Sequence, residues 1–217
     1  MKRNWILMVL ILSSIIAKAA DDDYVSAFLF PQFEKGVVVL KGNNARVSAL
    51  LNYDKVSDRM MFLEADSSLI ELDMRTVIAV SIGNRSFIPV QNKGFYEIII
   101  IGGHDYYISH KSKLMSQGKA AGYGGYSQTS AIGSMASIPN QGGYLAFVGY
   151  DEKFKGVDQS EVFIKNGNKY LKIISLKSLV KIFKTHQAAL ETFAKEKMTD
   201  FRKLDDVISI VEYAFSL

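Results

Sequence analysis

Between residues 28 and 110 the chain is a train of short β-branched and aromatic runs, and few architectures accept such a train. The runs cover 37–40, 45–53, 60–64, 69–72, 77–82, 85–90, 95–101 and 106–110. Between them stand Lys41-Gly42-Asn43-Asn44, Asp54-Lys55, Asp66-Ser67-Ser68, Gly83-Asn84 and Gly102-Gly103, residue types that favour turns. Runs this short and this regularly interrupted predict an antiparallel meander, closed into a small barrel or layered as a sandwich. The clearest tight turn is Gly83-Asn84.

From Ser112 to Tyr144 the apolar runs stop and Gly, Ser, Ala, Gln and Tyr take over. The segment 111–150 therefore reads as a long connection that requires neither helix nor strand. Beyond it, 161–165 and 169–173 flank Asn166-Gly167-Asn168, the pattern of a β-hairpin. The C-terminal part switches to helical spacing. Leu176, Leu179, Val180 and Phe183 follow i, i+3, i+4, i+7 behind Ser175, which is placed to cap them. Ala189, Leu190, Phe193 and Ala194 mark a second helix. Leu204, Val207, Ile208 and Val211 mark a third, with Asp205 and Asp206 in its first turn, where acids complement the helix dipole. Each apolar stripe is narrow, so the helices must pack on one another or on the sheet. The expected fold is α+β: a β-rich module over 20–110, the Gly/Ser/Tyr-rich segment 111–150, then a hairpin and three-helix cap over 151–217 belonging to the same unit.

Residues 1–19 have the pattern of a cleavable signal peptide. Lys2 and Arg3 form a positive start, residues 5–16 an uncharged and mostly apolar stretch, and Ala17-Lys18-Ala19 a small-x-small cleavage pattern. As a helix, that stretch would rise only about 18 Å, short of the roughly 30 Å hydrocarbon core, so an uncleaved anchor fits less well. With no cysteine in the chain, lipid attachment at the cut site is excluded. The expectation is an exported protein, periplasmic or extracellular, that is not a lipoprotein and has no transmembrane segment in its mature form. Removing Lys2, Arg3 and Lys18 leaves 23 basic residues against 22 acidic ones, a balance with no electrostatic footprint for nucleic acid. Trp5 goes too, so the mature chain contains neither Trp nor Cys. A chain this long can bury on the order of 70% of its unfolded surface without disulfides.

Several stretches together resemble uncharacterised secreted proteins of Bacteroidota-type bacteria. They are Phe33-Glu34-Lys35-Gly36 leading into Leu51-Asn52-Tyr53-Asp54, the run from Ile82-Gly83-Asn84-Arg85 to Ser86-Phe87-Ile88-Pro89, and Lys113-Leu114. The likeness continues through Gly118-Lys119-Ala120-Ala121-Gly122-Tyr123-Gly124-Gly125, Ser127-Gln128-Thr129-Ser130, Asp200-Phe201 and Asp206-Val207-Ile208. It implies an envelope or extracellular location. The family has no settled activity, so it assigns no catalytic residue.

Residue chemistry excludes more than it selects. His104 and His110 are six apart, which on a strand puts them about 20 Å from each other, with Asp105 on the opposite face; no metal site is expected. His186 reads as a surface histidine. Ser127 lies in Gly125-Tyr126-Ser127-Gln128-Thr129, which has threonine where a nucleophile elbow needs glycine. Ser178-Leu179-Val180-Lys181 satisfies S-x-x-K, a match expected by chance. Gly118-Lys119 is followed by alanine, and Gly122-Tyr123-Gly124-Gly125 lacks the last glycine of a dinucleotide fingerprint, so neither phosphate loop is present. Asn84-Arg85-Ser86 reads as turn chemistry. No cofactor is expected. An outer-membrane barrel needs strands of about 9 to 11 residues, longer than most of these runs.

One positive signal is the concentration of tyrosine, with Tyr123, Tyr126 and Tyr144 inside the middle segment and Tyr106, Tyr107 and Tyr150 at its flanks. Flat rings bearing a hydroxyl, beside adaptable Ser and Gln side chains, suit sugars or a partner's backbone. The expected ligand-binding residues are Tyr123, Tyr126, Ser127 and Gln128. The competing reading has the tyrosines covering the sheet. The functional expectation is a non-enzymatic envelope protein with a binding or scaffolding role toward a cell-envelope glycan or another envelope protein. The alternative is a hydrolase acting through polar residues of 111–150.

Overall fold

The computed structural model describes residues 27–120, 126–127 and 152–217. The segment 1–19 and most of 121–151 lie outside the described residues. Each N-terminal run becomes a strand: β1 (Glu34–Leu40), β2 (Arg46–Asp54), β3 (Arg59–Leu63), β4 (Leu69–Glu71), β5 (Val77–Ile82), β6 (Arg85–Val90), β7 (Gly94–Ile101) and β8 (His104–Ser109). Three further strands come next, β9 (Ser112–Ala120), β10 (Tyr126–Ser127) and β11 (Glu152–Asp158), and the expected hairpin is β12 (Glu161–Asn166) with β13 (Lys169–Lys172). The helices are α1 (Leu176–Val180), α2 (Gln187–Glu196), entered through a 3-10 turn, and α3 (Leu204–Ser216).

Ten strands form one antiparallel sheet in the order β13-β12-β8-β7-β6-β5-β1-β2-β3-β4. Period-2 alternation sets its faces: in β5, Val80 and Ile82 are buried while Ser81 faces outward, and Val77 is buried too, beyond the register shift at Val39/Leu40. At Gly36 in β1 a Cβ would stand 2.5 Å from Ser81 O and 2.6 Å from a Leu51 methyl, so β2 and β5 close over that position. The sheet bends over itself. Tyr53 of β2 stacks on Phe87 of β6 with centroids 6.3 Å apart, and Leu51, Met60, Val80 and Phe95 complete that core. The segment before β1 lies across this core, pinned by Asn52, whose amide donates to Phe30 O at 2.9 Å and Gln32 O at 3.2 Å and whose Oδ1 accepts from Phe30 N.

The barrel alternative is overturned, because the sheet stays open: β4 and β13 end it on opposite edges. With three and four residues, they are too short to carry the stagger that closure requires. What holds is a β-rich antiparallel fold followed by three helices. Those helices cover the face of β8 and β12, where Tyr106, Ile108, Val162 and Ile164 meet Leu179, Leu190, Ile210 and Val211. Ser175 caps α1 as its position predicts.

The start of the segment that reads as a loop is instead β9, paired with β11 and β10 in a separate three-stranded sheet. Ser112–Ala120 has no β-branched residue, so its own propensity is weak. Its strand conformation comes from the ladder to β11, which runs from Ser112↔Asp158 to Lys119↔Glu152. No described helix is long and apolar enough to cross a membrane.

Candidate functional site

Of the expected binding residues, Tyr123 and Gln128 lie outside the described residues. Tyr126 and Ser127 form β10, and their backbones pair with Ala120 and Lys119. Of the flanking tyrosines, Tyr106 and Tyr107 are core, almost fully buried, and the Tyr106 hydroxyl donates to Glu212 at 2.8 Å; Tyr150, like Tyr144, lies outside the described residues. His104 stacks on Phe215, and His110 is turned into the interior. The serine of the S-x-x-K match has a structural task. Ser178 Oγ donates to Ser175 O at 2.6 Å and accepts from the backbone of Ile174 and Ser175, closing the capping box of α1.

Two polar constellations stand out, and neither carries a sequence motif. The first is buried between the two cores. Arg85 leaves the β5–β6 turn, made tight by Gly83 at φ +57°, and forks onto Glu97 of β7 through Nε to Oε1 and Nη2 to Oε2, both at 2.6 Å. His110 Nε2 stands 2.6 Å from Glu97 Oε2 and 2.9 Å from Arg85 Nη2; against an ionised carboxylate, which can only accept, the shorter contact is assigned to a hydrogen on Nε2. Burial alone would push the Glu97 carboxyl up. The hydrogen bonds from His110 and Arg85 outweigh it and hold the group at about 2, below its ordinary 4.5. The guanidinium also lies over the Phe30 ring at 5.2 Å. Glu97 thus accepts three hydrogen bonds from within the protein, so this cluster locks strands to one another.

The second constellation is open. A cleft of about 610 Å³ lies between the β2–β3 turn, the β6–β7 turn and the outer face of β7, β12 and β13. The β2–β3 turn is built by Asp54, which accepts from Val56 N at 2.8 Å and Ser57 Oγ at 2.6 Å, and it leaves Asp58 in the left-handed region at φ +59°. Across from it, Asn92 and Gly94 are also left-handed, and a Cβ on Gly94 would stand 2.7 Å from Asp58 O. Such turns hold the cleft walls in fixed positions.

The charged lining consists of Lys93, Lys111 and Lys172 with Asp58 and Glu161. Lys111 is held by its backbone, because its N–H donates to Ser160 Oγ and its carbonyl accepts from Gln159 N. Its ammonium meets Asp58 at 3.3 Å, and Lys172 meets Glu161 at 2.5 Å. Among the described residues no carboxylate pairs with Lys93, whose Nζ lies over the Phe163 ring at 5.9 Å. Tyr96 and Phe163, stacked with centroids 4.9 Å apart, form the floor, and the half-buried Tyr170 meets Tyr96 edge-on.

The buried Tyr53 hydroxyl interacts with the Asp58 carboxylate, and the buried Ser109 hydroxyl with Tyr96. Burial pushes the Asp58 carboxyl up, and Lys111 offsets part of that. Burial, with Glu161 and Asp58 nearby, pushes Tyr96 up to about 12, so its hydroxyl stays a donor at any physiological pH. A donor–acceptor set of this kind can hold a polar ligand. Neither His nor Cys is among the residues that line it. A second hollow of about 760 Å³, around Asp73, Arg75, Lys41 and Gln91, is larger, and its Arg75 is already forked onto Asp73.

Sequence reasoning missed the cleft because its residues come from positions 57 to 172, with no local pattern linking them. Lys111 alone stood at the edge of the segment singled out. Comparison with protein-family models, with curated proteins and with solved structures finds no match to this chain.

Proposed function

We propose that this is an exported binding protein of the cell envelope, and that the cleft over Tyr96, Phe163 and Tyr170 is where its ligand sits. The observation that carries this reading is a cleft of about 610 Å³ whose walls set three lysines beside two carboxylates over an aromatic floor, a few convergent polar groups in a concave site. The signal-peptide pattern of residues 1–19 and the resemblance to secreted proteins support export. Binding fits the lining better than hydrolysis, because each carboxylate is neutralised by a lysine.

The test is cosedimentation of the purified mature chain with insoluble envelope glycan. The double variant Lys111→Met, Tyr170→Ala should lose most of the bound fraction while its melting temperature stays within a few degrees of the wild type. Equal sedimentation of variant and wild type would remove the cleft from the account. Release of soluble saccharide during the incubation would favour the hydrolase instead.

A further inference from the structure

Resting on that reading, we infer that the ligand is a sugar acid: a saccharide whose carboxylate is taken by Lys93, with Lys111 and Lys172 beside it, and whose hydroxyls are taken by Asp58 and Glu161. Three ammonium groups against two carboxylates leave one positive charge over, and Lys93 is the cation without an acidic partner. A bare inorganic anion fits poorly, because it would meet the two carboxylates and offer them few hydrogens. A neutral sugar leaves the extra cation unanswered. A polyol bearing one acid group answers both, since its hydroxyls donate to carboxylates and its carboxylate accepts from lysines.

The two ion pairs yield readily to such a ligand. The side chains of Lys111 and Asp58 are about a third exposed, at 35% and 33%, and pairs of that exposure contribute little to stability. Their ammonium and carboxylate groups can therefore turn to a guest without unfolding their surroundings. Lys111 keeps its position meanwhile through its backbone bonds to Ser160 and Gln159. Tyr96 and Phe163 are too buried to offer a broad stacking face, so recognition is polar, with the half-buried Tyr170 ring as the apolar contact. The cleft volume lies within the range of small-molecule sites.

The experiment uses the mature chain in calorimetric titrations against oligogalacturonate, oligoglucuronate and oligomannuronate. Galactose oligomers serve as the neutral counterpart and sodium phosphate as the bare anion. The expected result is that at least one acidic oligosaccharide binds at least tenfold more tightly than the neutral oligomer and than phosphate. Lys93→Met should weaken that binding at least tenfold, and Lys41→Met, in the other hollow, should leave it unchanged. If a neutral oligomer binds as well and Lys93→Met has no effect, the sugar-acid inference is overturned while the cleft stands. If none of the probes binds, the sugar-acid inference falls, and cosedimentation then decides the cleft separately. If phosphate alone matches the acidic oligosaccharides, the site is a simple anion site and the inference also fails.

Discussion

Glu97 shows how a single side chain can govern pH stability. It is buried, it accepts from both Arg85 and His110, and its carboxyl is held at about 2. A carboxyl held down on folding stabilises the protein fully above its ordinary value of 4.5, and that contribution drains away as pH falls from there toward 2. Glu97→Gln removes the charge yet leaves Arg85 in place, so it should cost about 3 kcal/mol at pH 7. Urea unfolding of both proteins at pH 7 and pH 3 checks this, and the gap between them should narrow at the lower pH. Little of this was legible in the sequence. Arg85 read as turn chemistry and His110 as one half of a rejected metal pair. The register of β6, β7 and β8, which brings them to one carboxylate, depends on long-range pairing that no local pattern encodes.

At the scale of elements, helices α1 to α3 are part of the core, because Leu190, Ile210 and Val211 pack on Tyr106, Ile108 and Val162 of the sheet. Ile210→Ala should cost about 3 kcal/mol, from lost transfer energy and the cavity left behind. A chain ending at Ile174 should lose its cooperative thermal transition, since the exposed face of β8 and β12 would have no cover; differential scanning calorimetry decides both. These elements were the most legible ones. Short β-branched and aromatic runs bounded by turn residues gave all eight strands from β1 to β8 to within a few residues, and i, i+3, i+4 spacing gave α2 and α3, because each carries its signal in its own residues. β9 was not legible, as it has no β-branched residue and its strand state rests on pairing with β11. The choice between barrel and sandwich also lay beyond local pattern, because closure depends on how the edge strands are staggered.

For the whole molecule, export and binding belong to one account. Edman sequencing of protein from the native host should begin at Ala20, within a residue or two, and that material should show no tryptophan emission, since Trp5 would be gone. Met1 retained in the mature fraction would separate the chain from the export pathway. The central claim is that a polar cleft assembled from distant turns is the working surface, and lysine chemistry can report on it directly. Reductive methylation with 13C-formaldehyde keeps the charge of each lysine and gives it its own NMR signal. On titrating the methylated mature chain with the acidic oligosaccharide that binds, the account predicts that the signals of Lys93, Lys111 and Lys172 shift together along one saturating curve, while Lys41 does not move. Shifts spread evenly over the surface lysines, or confined to Lys41, would contradict it.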